Sequence, residues 1–257
     1  MTEAGELRPF LRPEGAVYGP VASRRFGRTL GINVFPPGLK VCGFNCVYCQ
    51  LGWGSDPAGR EVPWPSADRL LAEIGSAVAG LDPAGAATVG ALVFSGDGEP
   101  TLHPEFRKIV CGVAAIRDER WPGRRIIVLS NGTTLDREGV REGLARADVR
   151  VLKLDAGTAA VNRPFTPLDL DAYLERLRSL SGVTIQSMFI RGRVDNTRPE
   201  DLRAWQGRLR RIRPLEVQVY TLDRRPPLPG LEPLPAGDLQ AIARDTHREL
   251  GIPVLGV

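Results

Sequence analysis

The stretch CGFNCVYCQ carries Cys42, Cys46 and Cys49 in a C-x3-C-x2-C spacing, which is three of the chain's 4 cysteines. Thiolates at that density bind soft metals, and the kind of site turns on whether a coordination position stays open. A structural zinc ion needs a fourth ligand, for which Cys111 and His103 are the residues on offer. An iron–sulfur cluster with three cysteine-bound irons instead leaves its fourth iron for a small-molecule ligand, and this is the preferred reading. The opening MTEAGELRPFLRPEGAVYGP has no apolar leader core, and no later apolar run approaches the roughly 18 residues of a membrane span. A cytoplasmic protein with no membrane partner is expected. Thiols stay reduced there, and a cysteine cluster is more often a metal site than a disulfide framework.

Positioning such a loop requires a scaffold. The 257 residues are 42% hydrophobic and 25% charged, enough to bury one sizeable core. Short apolar runs alternate with helical patterns: TLGINVF (29–35), TVGALVFSG, RRIIVLSNG, VRVLKLDAG, VTIQSMFI and VQVYTLD read as strands. ADRLLAEIGSAVAGL, capped by Ser66, then PEFRKIVCGVAAIRD, REGVREGLARA, LDAYLERLRSL, PEDLRAWQGRLRRI and GDLQAIARDTHREL read as helices. Near-continuous apolar strands imply parallel pairing under helices, hence one α/β domain over residues 1–257, a partial (β/α)6 barrel of TIM-like type. Residues 1–16 are read as an N-terminal extension and 36–52 as the cysteine loop. The Pro-rich RRPPLPGLEPLP (224–235) is expected to be an extended loop.

In such a barrel the loops after the strands converge on one rim. The first strand leads to the three cysteines, the second to SGDGEPTLHP, the third to Ser130 and Asn131. The fourth leads to Lys153 and Asp155, the fifth to Gln186, Ser187 and Arg191, the sixth to Tyr220, Thr221 and Asp223. Simpler readings attach to other residues. Cys111 is expected to be a small buried residue, His103 a helix-entry residue, and the arginines of GRLRRIR a solvated helix face.

With these motifs in order, the chain resembles the radical S-adenosylmethionine (radical SAM) superfamily. The resemblance implies a four-iron four-sulfur cluster on Cys42, Cys46 and Cys49 whose open iron chelates S-adenosylmethionine (SAM), with reductive cleavage of SAM to a 5'-deoxyadenosyl radical. It implies that Tyr48 packs near the adenine, and that Gly96 to Pro100 form the family's GGEP-type segment. Gly98 would allow close backbone approach, and Glu99 would accept from the SAM amino group. Ser130 and Asn131 would contact the ribose, and Lys153 and Asp155 would touch SAM or substrate. Asp97 departs from the commonest form. Lys153, Asp155, Arg191 and Tyr220 are the catalytic candidates, and an electron donor such as flavodoxin or ferredoxin is implied as partner.

A narrower resemblance, over roughly residues 17–230, is to the subgroup of tRNA wyosine-base synthases. It implies an RNA base or related nucleoside as substrate and tRNA as a partner, with Arg24, Arg25 and Arg28 of SRRFGR as phosphate contacts. The alternatives are a radical enzyme for a peptide, protein glycyl site or small metabolite, and a zinc-stabilised RNA-binding module. Those synthases carry a second cluster on cysteines upstream of the triplet, whereas residues 1–41 here hold no cysteine. The chain is therefore expected to lack the second cluster and not to build the wyosine tricycle by itself.

Overall fold

A computed structural model describes residues 13–54, 61–165 and 169–257. The elements in order are β1 (Val17–Ser23), β2 (Gly27–Ile32), α1 (Ala67–Gly80), α2 (Pro83–Thr88) and β3 (Ala91–Phe94). A 3-10 turn (Pro100–Leu102), α3 (Phe106–Arg120), β4 (Arg125–Ser130), α4 (Glu138–Ala145) and β5 (Val149–Lys153) follow. Next are α5 (Ala159–Asn162), α6 (Leu170–Arg178), β6 (Val183–Met188), β7 (Ile190–Gly192) and α7 (Pro199–Ile212). The chain closes with β8 (Glu216–Tyr220), β9 (Leu231–Pro233), α8 (Ala236–Leu250) and β10 (Val254–Gly256).

Eight strands form one sheet in the order β1-β2-β3-β4-β5-β6-β8-β10. Every pairing is parallel except β1 with β2. The parallel run β2 to β8 is the expected partial (β/α)6 barrel, with its strand ends and Ser66-capped α1 where the sequence places them. Two edge strands go beyond that reading. β1 is interrupted by a register shift between Tyr18 and Val21, and β10 has only 3 residues, so neither carries a readable alternation. The Pro-rich segment is not simply a loop, because β9 within it pairs antiparallel with β7.

Alternation sorts the barrel strands into two faces. Outward residues such as Ile32, Phe94, Val128, Leu152, Ile185 and Val217 pack into the large core beneath the helices. Inward residues Ala91, Val93, Ile127 and Val151 join Phe26 in a separate apolar cluster that fills the lumen floor. Phe26 reaches it from the β1–β2 turn, where Ser23 Oγ accepts from the N–H of Arg25 and Phe26 at 3.3 and 3.2 Å. α7 starts on Pro199 with Glu200 and Asp201 in its first turn, a favourable match of charge to the helix N-terminus. Its arginines are tied to neighbouring helices, Arg208 to Asp171, Arg210 to Glu249 and Arg211 to Glu175, as a solvated face would be. Among the described residues, no helix is long and apolar enough to cross a membrane.

Candidate active site at the barrel rim

The cysteine loop is pinned at both ends. Its entrance, Val41, bridges to Gly98: the Val41 amide donates to Asp97 O at 3.0 Å and its carbonyl accepts from the Glu99 amide at 2.9 Å. Glycine is required there, since Gly98 sits at φ +159° and an added Cβ would lie 1.8 Å from Val41 O. At Gly96 (φ +146°) a Cβ would meet Asn33 Oδ1 at 2.2 Å. The close approach allowed by GDGEP is thus, in the first place, one between two protein loops. At the exit, the buried Lys40 donates to Asn45 Oδ1 and Gly52 O, and Asn45 exchanges two 2.9 Å bonds with Gly54. Between these anchors Cys49 N donates to Cys46 O and Gly52 N to Cys49 O, so two tight turns present the thiols. Cys42 Sγ accepts from Phe44 N and from Asn131 Nδ2, each at 3.4 Å.

The donor chemistry fits a cationic iron–sulfur group. Burial pushes the Cys42 thiol up to about 12, with Glu99 adding to it. Burial, Asp155 and the other two thiols push Cys46 higher still. Positive charge among these sulfurs would favour their thiolate forms, and bound irons would supply it. Among the described residues, no three His, Cys, Asp or Glu side chains converge on one point as a single tetrahedral ion requires. Neither fourth ligand considered for zinc is placed to serve. His103 uses one ring nitrogen on Pro65 O (2.9 Å) and the other on the Glu105 amide (3.1 Å), its ring stacked edgewise on Trp64. Cys111 is half-buried within α3, which packs between α1 and α4. In a cluster each thiolate takes a different iron, so the sulfurs have no need to meet at a point.

Glu99 is the hub of the neighbouring loops. Its Oε1 accepts from Thr101 N (3.1 Å), Thr101 Oγ1 (2.6 Å) and Ser130 Oγ (2.8 Å), and its Oε2 from Asn131 N (2.6 Å). Burial raises its pKa despite those donors. Oε1 is saturated, while Oε2 retains a lone pair. Through Asn131 the same carboxylate orients the amide that reaches Cys42.

Across the lumen stands a charged wall. Tyr48 O–H donates to Asp155 Oδ2 at 2.5 Å, and its ring lies 5.7 Å from Phe165. Asp155 Oδ1 accepts from Lys153 Nζ (2.9 Å) and the Met188 amide (2.7 Å). Lys153 also reaches Tyr220 Oη at 2.7 Å. Burial alone would lower the lysine's pKa, but Asp155 and Tyr220 together hold it above its ordinary range. It is a fixed cation rather than a free amine. Arg25 stacks on the same Tyr220 ring, 4.9 Å from its centroid. Behind the wall, Asn196 holds the ends of β5 and β6 together, donating to Asp155 O and Met188 O at 2.7 Å each and accepting from the Ile190 amide.

The structure brings Tyr48, Lys153, Asp155 and Tyr220 together, and Gly96, Gly98, Glu99, Ser130 and Asn131 around Cys42. Arg191 is the correction. Its guanidinium pairs with Asp238 at 2.6 Å and with Thr197, in a groove between α7 and α8 on the outside of the barrel. The strand that carries it, β7, has left the barrel to pair with β9, so a position after the fifth strand does not mean a position in the site. Ser187 likewise faces outward, to Leu154 O and Trp205, whereas Gln186 faces inward and donates to Gln218 Oε1 at 3.1 Å. The three arginines of SRRFGR also separate: Arg24 and Arg28 are exposed, and only Arg25 turns into the lumen. Asn196 lies within a DNT run that can be read in the sequence, but its bridging role depends on where β6 ends.

Comparison with known proteins agrees with this geometry. The family model described as the Radical SAM superfamily matches residues 38–204, well over half of the chain. A UPF0026 protein of Synechocystis is 34% identical over 83% of this chain and 77% of its own length. The GTPase Obg of Brachyspira hyodysenteriae is 29% identical over 81% of this chain, which spans only 30% of that protein. Among solved structures, a radical SAM methyltransferase from Sphaerobacter thermophilus superposes with a TM-score of 0.64 at 20% identity, covering 88% of this chain and 65% of its own. TYW1 with a lysine-pyruvate adduct bound superposes at 0.58 with 17% identity, covering 85% and 73%. Both structural likenesses establish the fold.

Proposed function

The chain belongs to the radical SAM superfamily, and from that premise we propose that it modifies an RNA base or related nucleoside at the mouth of this barrel. It is an iron–sulfur enzyme, and its cofactors are a four-iron four-sulfur cluster and SAM. When bound and reduced by an electron donor, the pair would supply radical chemistry based on cleavage of SAM, with hydrogen abstraction from the substrate. Flavodoxin or ferredoxin is proposed as that donor.

Within this reading Cys42, Cys46 and Cys49 hold three irons. Asn131 donates to the Cys42 sulfur, and Ser130 and Asn131 line the SAM site. The lone pair left on Glu99 Oε2 is the acceptor proposed for the SAM amino group. Tyr48, fixed by Asp155, sets its ring beside the last thiolate, and Lys153, Asp155 and Tyr220 face the substrate.

The observation that supports RNA is the charge on the rim. Arg163, beside the cluster loop, and Arg193, beside the Pro-rich segment, are exposed and have no carboxylate partner among the described residues. They contrast with the paired arginines of α7 and are free to meet phosphates. Reduced, reconstituted enzyme incubated with SAM and tRNA should form 5'-deoxyadenosine faster than without tRNA, with a mass change in one nucleoside of the digest. The double variant Arg163→Ala and Arg193→Ala should weaken tRNA binding and flatten its salt dependence. No stimulation by tRNA or nucleosides would overturn the substrate assignment.

A further inference from the structure

We propose that Arg25, together with Tyr220 and Lys153, forms a subsite inside the lumen that binds an oxyanion carried by the substrate, a phosphate or a carboxylate. The proposal rests on the reading of this lumen as the substrate site and adds a chemical requirement to it.

The SRRFG turn sets the position of Arg25. Ser23 caps the amides of Arg25 and Phe26, and Gly27 closes the turn at φ +75°. Phe26, 7% exposed, is thereby driven into the lumen floor against Ala91, Val93, Ile127 and Val151. Arg25, its neighbour, extends inward beside it, its guanidinium carbon 6.0 Å from the Phe26 ring and 4.9 Å from the Tyr220 ring. Lys153 Nζ lies 4.6 Å from that same Tyr220 centroid, so one aromatic ring is flanked by two cations.

Charge accounting separates the two. Lys153 is matched by Asp155 at 2.9 Å. Arg25 has no carboxylate within salt-bridge distance among the described residues; Asp223 influences it only from farther away and is itself 3.6 Å from Arg224. Burial pulls the Arg25 pKa down, the signature of a cation held where water is scarce. A strut between the β1–β2 turn and β8 would be made more cheaply by an apolar side chain, since a half-buried cation with no carboxylate partner still carries a desolvation cost. The Arg25 guanidinium lies 4.9 Å from the Tyr220 ring centre and also interacts with the Tyr220 hydroxyl, which leaves others of its five N–H donors for an oxyanion. Arg25 comes from the turn beside the edge strand β1 and Tyr220 from β8, one strand in from the other edge, so an anion held by both would strengthen a contact that already crosses the open barrel.

The test uses the reconstituted, SAM-bound enzyme with inorganic phosphate and acetate as separate probes, at constant ionic strength, followed by calorimetry. Saturable binding of at least one probe is expected. Arg25→Met, which keeps the packing and removes the charge, should weaken it roughly tenfold or more, while Arg248→Ala, on the exposed face of α8, leaves it in place. A phosphate preference points to a nucleotide, and an acetate preference to a carboxylic acid. If Arg25→Met does not fold, phenylglyoxal labelling of the wild-type enzyme followed by peptide mass spectrometry gives the answer: the preferred probe should slow labelling of Arg25 and not of the exposed Arg248. Binding of neither probe, or equal binding and labelling irrespective of Arg25, would overturn the subsite. Failure of the wild-type enzyme to assemble a cluster would instead remove the reading on which it rests.

Discussion

The two halves of this barrel are built differently. Around β3 and β4 the lumen wall is apolar, with Ala91, Val93 and Ile127, and the functional groups sit at the strand ends or in the loops beyond them, Ser130 being the last residue of β4. Those loops hold each other rigidly: Val41 against Gly98, Glu99 against Thr101, Ser130 and Asn131, and Asn131 against Cys42. From β5 to β8 the functional groups are the side chains of the strands and their ends. Lys153, Gln186 and Gln218 are register partners along one inward row, and Tyr220 stands at the end of β8. The half proposed to hold the cofactors is fixed by backbone, and the half proposed to hold the substrate is a surface of exchangeable side chains. The two halves meet at Tyr48, which belongs to the cysteine loop and donates to Asp155 of the wall.

The largest effect is expected at Glu99. Glu99→Ala strands four buried donors, each worth about 1–3 kcal/mol when left unsatisfied, so a total of roughly 4 kcal/mol or more is expected. The damage should reach the cluster through Asn131, lowering iron content and SAM affinity together. Denaturant melts and iron analysis of the purified variant check this, and a stable variant with full iron content would show that the loops do not depend on the hub. On the wall, Lys153→Met leaves Asp155 with Tyr48 and the Met188 amide only. A loss of about 2–3 kcal/mol is expected, below the usual cost of breaking a buried pair because the lysine is 19% exposed. Iron content should be unaffected. Since the folded lysine's pKa is raised, the pair's contribution is complete at neutral pH and disappears only as pH rises through that raised value. The stability gap between wild type and Lys153→Met should therefore be flat from about pH 6 to 9 and narrow above. A gap that closes below pH 9 would mean that the lysine is not held as a cation. The smallest effect belongs to Arg191→Ala, which breaks a half-exposed pair outside the barrel. Less than about 1 kcal/mol is expected, with SAM cleavage within about twofold of wild type. A large loss of SAM cleavage would place Arg191 back in the site.

The same division explains what could be read from the sequence. The loops after β2, β3 and β4 carry contiguous motifs, so CGFNCVYC, GDGEP and SNG announce themselves, and the barrel follows from the alternation of apolar strands with helices. The wall is assembled from residues 25, 48, 153, 155 and 220, whose proximity depends on register and on a hairpin turning inward. No local pattern separates Arg25 from Arg24 and Arg28; only the burial of Phe26 beside it does. The sequence likewise could not reveal that β7 leaves the barrel, which is what took Arg191 out of the site. Nor could it reveal that Gly98 faces Val41 O, or that one carboxylate of GDGEP organises two other loops.

Whether Cys42, Cys46 and Cys49 alone hold a SAM-binding cluster can be read from electron paramagnetic resonance of the anaerobically reconstituted, dithionite-reduced protein, with and without SAM. Wild type, Lys153→Met and Cys111→Ala should each give the signal of one reduced four-iron cluster that changes when SAM is added. Cys42→Ala, Cys46→Ala and Cys49→Ala should give none. A signal indifferent to SAM, or loss of the cluster in Cys111→Ala as complete as in Cys46→Ala, would contradict the account.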